Sequence, residues 1–222
     1  MCISVLKRCH LFRGLSDSEI ESVLGRTPHA TQIFEKDEPV FRLMDAADRV
    51  GVILYGRVQA QKIFPNGGQV NVSVRTAGDL IGPAATFSAQ RRYPCEIIAL
   101  EHTEVLMIER NAVITLLQSD GRIMANFLSE LASATFLLQQ RLELLSYNAI
   151  HQKIAFYLEM HRMQTGSHRV PIPESMTKWA LMMNVSRPSL HRELKKLEEQ
   201  GAVRYAPPFV EILDAGALQE ML

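Results

Sequence analysis

Residues 176–205 read MTKWALMMNVSRPSLHRELKKLEEQGAVRY, and they contain two helical patterns joined by a short turn. Residues 175–183 predict a short helix and residues 187–199 a second helix, because apolar side chains recur at helical spacing in both. Two brief apolar strands, AVRY and FVEIL, follow on either side of Pro207-Pro208. Two helices with this turn and a hairpin after them predict a winged helix-turn-helix domain.

The second predicted helix separates its apolar residues from its basic ones. Leu190, Leu194 and Leu197 recur at i, i+4 and i+7, which buries one face of a helix. The side chains left for DNA contact are Arg187, Ser189, His191, Arg192, Lys195 and Lys196. From Lys178 to Arg204 there are six basic and three acidic residues, whereas the whole chain has 24 of each. This local positive charge favours contact with phosphates and guanine edges over an ordinary solvated helix.

Residues 1–110 are typical of a β-domain that follows a short N-terminal helix. Within residues 10–24, Ser16 and Glu19 have the spacing of a helix capping box. From residue 29 onward, short apolar or alternating runs recur at intervals of roughly 8–12 residues, which predicts an antiparallel sandwich or roll. The PNGG segment at 65–68 predicts a hairpin turn within it. The expected fold class is therefore α+β.

Residues 111–146 have a helical period and are expected to form one long dimerisation helix. An a/d seam is predicted along it because apolar residues alternate at spacings of three and four, and its members are Ile123, Phe127, Leu131, Ala134, Leu138, Leu142 and Leu145. A second copy of the chain is expected to cover this seam, and the alternative is a helix lying on its own domain. The remaining residues, 147–222, are assigned to DNA binding, and residues 1–110 form a separate domain.

Composition excludes several classes of protein. With 47% hydrophobic and 22% charged residues and no net charge, the 222-residue chain does not have the composition of a disordered tail. No apolar run approaches the roughly 18 residues that span a bilayer, and no export signal is visible, so a cytoplasmic protein without a membrane partner is expected. No catalytic triad, phosphate loop or metal-ligand cluster is present, so an enzyme is not expected.

Taken in order, these segments resemble the Crp/Fnr superfamily of bacterial transcription regulators over essentially the whole chain. LFRGLSDSEIESVL is similar to the family's N-terminal helix, and GVILYGRVQAQ with PNGG is similar to its central β-roll hairpin. AGDLIGPAATF resembles its glycine-rich ligand segment, and NVSRPSLHREL resembles the start of its recognition helix. The resemblance implies a homodimer that binds a palindromic DNA operator and RNA polymerase. It also implies that residues 1–110 sense an effector in the β-roll, which controls this activity.

The resemblance also implies roles for individual residues. It assigns DNA contacts to Arg187, Ser189 and Arg192, and it puts Pro188 where many relatives have a glutamate that accepts a hydrogen bond from cytosine. Proline has no acceptor in its side chain, so the base preference at this step is expected to differ. The effector pocket is expected near Gly82, Arg92, Tyr93, Cys95 and Leu138.

The nature of the effector is less constrained by the sequence. Relatives that bind cyclic AMP have a glutamate after the glycine of the ligand segment, whereas in this chain Gly82 is followed by Pro83. Those relatives also have Arg-Ser or Arg-Thr at the position where this chain has Tyr93-Pro94. Leu138-Gln139 stands where Thr-Ser would meet the adenine, so cyclic AMP is not expected. A shift of one residue would bring Arg92 toward the phosphate, which leaves an anionic ligand open.

Other effectors also stay open. An iron–sulfur cluster is not expected, because the chain has only three cysteines, Cys2, Cys9 and Cys95, at the wrong spacing for four thiolates. Haem stays open because one axial ligand suffices, and the candidates are His10, His29, His102 and Cys95. Further alternatives for the effector are a small apolar molecule, a redox signal through Cys95, or no ligand at all. A separate alternative concerns the winged helix, which could bind protein instead of DNA.

Overall fold

The computed structural model describes residues 3–63 and 69–222, so the hairpin predicted at 65–68 lies outside the described residues. The helices are α1 Ile3–Arg8, α2 Asp17–Gly25, α3 Pro83–Phe87, α4 Arg110–Ser119, α5 Gly121–Ser146, α6 Ile150–Thr165, α7 Met176–Met182, α8 Arg187–Glu199 and α9 Ala215–Gln219. A 3-10 turn occupies His10–Phe12. The strands are β1 His29–Phe34, β2 Pro39–Phe41, β3 Arg49–Tyr55, β4 Arg57–Ile63, β5 Gln69–Thr76, β6 Leu80–Ile81, β7 Glu96–Ala99, β8 Thr103–Glu109, β9 Arg169–Pro171, β10 Val203–Ala206 and β11 Phe209–Ile212.

The chain forms two compact units, Met1–Ala134 and Thr135–Leu222, and the boundary between them lies within α5. The first unit contains two four-stranded sheets with strand orders β1-β8-β3-β6 and β2-β7-β4-β5. Every strand pair in them is antiparallel. The predicted α+β class with an N-terminal antiparallel roll is therefore confirmed.

The central strand β3 explains why this part of the sequence reads as a continuous apolar run. Successive side chains of a strand point to opposite faces, so a strand covered on both sides needs apolar residues throughout. Val50 and Val52 pack in the core that also contains residues of α1 and α2. Ile53 packs in a second core, with Val105 and Met107 of β8. The roll therefore has two apolar cores, one on each side of the β3 and β8 pair.

The start of α2 agrees with the capping box predicted from the sequence. The Ser16 hydroxyl accepts a hydrogen bond from the Glu19 backbone N–H at 3.4 Å. In return, the Ser16 backbone N–H donates to the Glu19 carboxylate at 2.7 Å. The two bonds satisfy donors that would otherwise have no partner at the helix end.

The prediction of a single helix over residues 111–146 is wrong, because the structure has two helices there, α4 and α5. Asp120, between them, has an extended backbone with φ −151° and ψ 123°. Its carboxylate accepts a hydrogen bond from the Arg122 backbone N–H at 2.8 Å, as a residue that caps a new helix does. Asp120 therefore ends one helix and starts the next.

The second unit has the predicted helices and strands of a winged helix. Strands β10, β11 and β9 form one antiparallel sheet in that order. Trp179 of α7 is fully buried, in the same core as Leu190 and Leu194 of α8. The Lys153 ammonium of α6 is also buried and donates to the Met183 carbonyl at 3.0 Å. This bond holds the residue that follows α7, and so helps to fix the turn into α8.

Candidate nucleic-acid interface and effector cavity

The first turn of α8 is held by its N-cap residue. The Ser186 hydroxyl accepts from the Ser189 backbone N–H at 3.1 Å and donates to the Ser189 hydroxyl at 2.8 Å. Pro188 lies in this first turn, where a missing backbone N–H removes no helical hydrogen bond. Asn184 in the preceding turn has a φ of +53°, in a region that asparagine tolerates better than most residues. The helix therefore begins firmly at Arg187.

The outward face of α8 contains most of the residues that the sequence assigns to DNA. Leu190, Leu194 and Leu197 are at most 2% exposed and fix the inward face. Spacings of four and three place Pro188, Arg192 and Lys195 together on the opposite face, and all three are exposed. The exposed members of the predicted set are Arg187, His191, Arg192, Lys195 and Lys196, and Ser189 is half-buried.

The charges on this face differ in their availability. The Lys196 ammonium is paired with the Glu193 carboxylate at 3.2 Å. In the hairpin that follows α8, Arg204 is paired with Glu211 at 3.1 Å. Within the described parts of the chain, no ion pair is found for Arg187, Arg192 or Lys195. Those three cations can therefore meet an anion without first leaving a carboxylate.

The wing strands lie close to this face. The His191 ring makes an edge contact with the Tyr205 ring of β10, with 6.2 Å between centroids. Arg169 of β9 stacks its guanidinium over the Phe209 ring of β11 at 4.0 Å. Arg169 was not among the residues assigned from the sequence, because a strand position alone does not show that its side chain lies on the wing.

The N-terminal unit contains a cavity of about 280 Å³ inside the roll. Two of the five predicted effector residues, Gly82 and Cys95, line it. Its polar lining includes Ser73 and Arg75 of β5 and Glu130 of α5, which were not predicted. The other lining residues are Val58, Ala60, Leu80, Ile81, Pro83, Ala84, Ile97, Leu131 and Ala134. The cavity is therefore mainly apolar, with one guanidinium and one carboxylate.

Gly82 is required at its position in the ligand segment. Its φ is +82°, and a Cβ there would lie 3.0 Å from the Phe41 ring and 3.2 Å from the Arg49 carbonyl oxygen. Tyr93 stacks on Phe41 with centroids 4.2 Å apart and donates its hydroxyl to the same Arg49 carbonyl at 2.9 Å. Only 4% of Tyr93 is exposed, and burial raises the pKa of its hydroxyl. Tyr93 therefore packs as a core residue beside Gly82 and does not line the cavity.

Arg92 and Leu138 are likewise not among the residues that line the cavity. The Arg92 guanidinium donates to the Met44 carbonyl at 2.7 Å, and Arg92 lines a separate surface depression that includes Asp48. Leu138 lies on α5 in the second unit and is 63% exposed. The shift that would bring Arg92 to a bound phosphate is therefore not seen, and Arg75 is the cation that lines the cavity.

The exposed face of α5 agrees with the predicted seam only in part. Ile123 and Phe127 are 0% and 4% exposed, because they pack in the core of the N-terminal unit, and they are therefore closed to a partner helix. The residues that alternate at spacings of four and three on the open side of α5 keep Leu131, Leu138, Leu142 and Leu145 of the predicted seam, and Met124, Leu128 and Thr135 replace Ile123, Phe127 and Ala134. The full set is Met124, Leu128, Leu131, Thr135, Leu138, Leu142 and Leu145. Five of these are large apolar residues between 38% and 69% exposed, with Leu142 the most exposed. We call this set the α5 seam.

The candidate haem and cluster ligands are dispersed. The Nδ1 atoms of His10, His29 and His102 lie within hydrogen-bond distance of Glu130, the Thr27 carbonyl and Glu35, respectively. Cys9 is buried, and burial raises the pKa of its thiol to about 11. Within residues 3–63 and 69–222, no three His, Cys, Asp or Glu side chains form a group that could hold a metal. The same residues contain no helix that is long and apolar enough to cross a bilayer.

Comparisons with known proteins agree on both units. The cyclic nucleotide-binding domain family matches residues 31–120, and the Crp-like helix-turn-helix domain family matches residues 124–221. The cyclic AMP receptor protein of Thermus thermophilus is 24% identical over 218 residues, which cover 97% of this chain and 98% of that protein. A probable transcriptional regulator of Lacticaseibacillus casei, flp, is 25% identical over 211 residues, or 95% and 94% of the two chains.

Solved structures show the same fold at lower identity. The catabolite activator protein of Thermus thermophilus has a TM-score of 0.58 and 23% identity, over 96% of this chain and 97% of that one. A CooA mutant from Carboxydothermus hydrogenoformans has a TM-score of 0.62 and 16% identity, over 94% and 91%. Together, the two matched domain families cover residues 31–120 and 124–221 of this chain. The chain belongs to the Crp/Fnr superfamily of transcription regulators.

Proposed function

We propose that this protein is a homodimeric transcription regulator that reads a palindromic DNA site with α8 and responds to a small effector in the β-roll cavity. The DNA-binding part of this proposal rests on the outward face of α8. Arg187, Arg192 and Lys195 are exposed there without an acidic partner among the described residues, beside a wing that bears Arg169. An exposed basic helix of this kind suits the major groove of B-DNA, which is wide enough to admit it.

Arg192 is the residue that we assign to base reading. It lies one turn inside α8, between Pro188 and Lys195 on the outward face, so its fork can donate two hydrogen bonds to the O6 and N7 atoms of guanine. Arg187 and Ser189 at the helix start, with His191 at the flank, are assigned to the DNA backbone and neighbouring bases. Lys195 and Lys196 are assigned to phosphates, and Lys196 would then exchange Glu193 for a phosphate oxygen.

Dimerisation is proposed through the α5 seam. Its alternating spacing of four and three is the pattern that two helices bury against one another in a coiled coil. A two-fold dimer would present two copies of α8 to half-sites whose centres are about 34 Å apart on B-DNA. Such a dimer on DNA would act on transcription in the cytoplasm by contact with RNA polymerase.

The effector is proposed to be a small molecule with an apolar body and an anionic group. Apolar walls favour the body, and the Arg75 guanidinium favours a carboxylate or phosphate, with no ion pair found for Arg75 in the described chain. One relative is named a cyclic AMP receptor protein. For this chain cyclic AMP is not proposed, because Pro83 has no ribose acceptor and the Tyr93 hydroxyl is bound to the Arg49 carbonyl. Haem on Cys95 or His10, and a redox signal through Cys95, are the alternatives.

The proposal is tested on the full chain purified from its host. Its absorption spectrum and native mass would report haem, a bound small molecule and the dimer in one preparation. The protein should then select a palindrome from randomised duplexes, with an affinity that falls steeply as salt rises. Equal affinity for all duplexes, or weak binding that salt does not change, would instead favour a winged helix that binds protein.

A further inference from the structure

A second cavity, of about 320 Å³, lies wholly within the Thr135–Leu222 unit. Its walls come from the end of α5, from α6 and from α7, and they are largely apolar, with Leu144 and Phe156 buried. It shares no lining residue with the β-roll cavity. The volume is at the lower end of the range that small-molecule sites have in proteins, roughly 300–1,000 Å³. The size and lining therefore suit a compact aromatic molecule.

One buried polar group in this cavity has no partner in the described structure. The Nε2 atom of Gln140, which lines the cavity, is closed to solvent and makes no hydrogen bond to any described residue. A buried amide donor without an acceptor is unfavourable, so such groups normally bind protein, water or a ligand. The hydroxyl of Tyr157, in the same lining, already donates to the Pro171 carbonyl at 2.9 Å. Gln140 is therefore a donor that an acceptor on a ligand would satisfy.

The charge of the lining indicates which kind of acceptor fits. Arg141 and His161 line the cavity together with Gln140, whereas none of the described residues that line it is acidic. Arg141 is exposed, and no ion pair is found for it in the described chain. A guanidinium and an amide N–H beside apolar walls match a carboxylate on an apolar body.

We propose that this cavity is a second ligand site, specific for small aromatic carboxylates. The aromatic body packs between Leu144 and Phe156, and the carboxylate accepts hydrogen bonds from Gln140 and Arg141. Met182 of α7, the first helix of the helix-turn-helix, also lines the cavity. A ligand here contacts the DNA-binding unit directly, so the site stands whether or not the β-roll holds an effector.

The chain contains its own optical reporter for this site. Trp179 is its only tryptophan, and its ring lies 5.3 Å from the ring of Tyr157, a lining residue. We would titrate the full chain with 2-naphthoate and follow Trp179 emission, with calorimetry as a second readout. The neutral analogue 2-naphthalenemethanol tests the need for the carboxylate. Gln140→Leu removes the unpartnered donor, and Gln139→Leu is the matched control on the same helix.

We expect 2-naphthoate to quench Trp179 emission in a saturable way. The affinity of the wild-type chain for the alcohol, and that of Gln140→Leu for 2-naphthoate, should be at least tenfold weaker. The affinity of Gln139→Leu for 2-naphthoate should be unchanged. Gln140→Leu should fold with an unchanged or higher melting temperature, because it removes a buried unsatisfied amide. Arg141→Gln should also weaken the binding of 2-naphthoate. Because Arg141 is exposed, this variant provides a second test if Gln140→Leu is unstable.

Three results would overturn the proposal. The first is no saturable binding of 2-naphthoate to the wild-type chain. The second is equal binding of 2-naphthoate by wild type, Gln140→Leu and Arg141→Gln. The third is loss of the signal in Arg75→Leu with retention in Gln140→Leu, because the probe would then occupy the β-roll cavity.

Discussion

The α5 seam predicts that a single charge at Leu142 disrupts the dimer. Leu142 is 69% exposed in one chain, and in the proposed dimer it would lie against the partner helix. Full burial of a leucine stabilises by roughly 1.5–3 kcal/mol, so burying the exposed part of Leu142 in both subunits contributes roughly 2–4 kcal/mol. Leu142→Glu removes this contribution and also buries two carboxylates close to each other.

The dimer dissociation constant should therefore rise at least ~30-fold, and by up to ~1,000-fold for the larger free energy. Sedimentation equilibrium at several loading concentrations measures this constant, and a thermal melt checks that the monomer is folded. Phe136→Glu is the matched control, because Phe136 is 53% exposed on α5 but lies off the seam. The reasoning is refuted if Leu142→Glu dimerises within threefold of wild type, or if Phe136→Glu weakens the dimer as much.

Three further predictions concern ligand response, pH and thiol reactivity. Cyclic AMP at millimolar concentration should leave the melting temperature unchanged, because a ligand raises it only if it binds the folded state, and we expect no binding. A clear upward shift in melting temperature would contradict our assignment of Pro83 and Tyr93. The Arg162 guanidinium beside Glu159 holds the pKa of that carboxyl below its usual value, so its stabilising effect is present at neutral pH and lost on acidification. Glu159→Gln should therefore lower the free energy of unfolding at pH 7 more than at about pH 3 in urea titrations, and an equal loss at both would argue against the pair. Burial raises the pKa of Cys9 to about 11, so iodoacetamide at about pH 8 should label Cys9 only after denaturation, as mass spectrometry of the peptides would show.

The sequence predicts best where local chemistry determines the structure. The Ser16 and Glu19 capping box forms as the spacing predicts, because both bonds are made within one turn of α2. The bounds of α8 agree with the predicted 187–199, since Ser186 caps its start and the leucines at helical spacing bury its inward face. For the same reason the sequence identifies the outward face of α8, on which Arg187, Arg192 and Lys195 are exposed.

Prediction fails where a choice between faces depends on tertiary packing. The strand QVNVSVRT alternates, and the apolar side would ordinarily be placed inward. Instead Val74 is 51% exposed, while Ser73 and Arg75 line the cavity. The first part of the seam shifts by one position for a related reason, because Ile123 and Phe127 pack against the N-terminal core and leave Met124 and Leu128 exposed. Periodicity identifies two faces of an element but does not say which of them its own domain covers.

The assignment of Arg192 to base reading is tested most directly by selection of randomised duplex DNA with three proteins, namely wild type, Arg192→Ala and Lys195→Ala. Wild type should select a two-fold palindrome. Arg192→Ala should lose roughly 1–3 kcal/mol on that site and all preference at one base pair in each half-site. Lys195→Ala should keep the preference, bind all sequences more weakly, and lower the salt slope by about one unit per lost phosphate contact. An Arg192→Ala protein that selects the wild-type sequence unchanged would contradict the account.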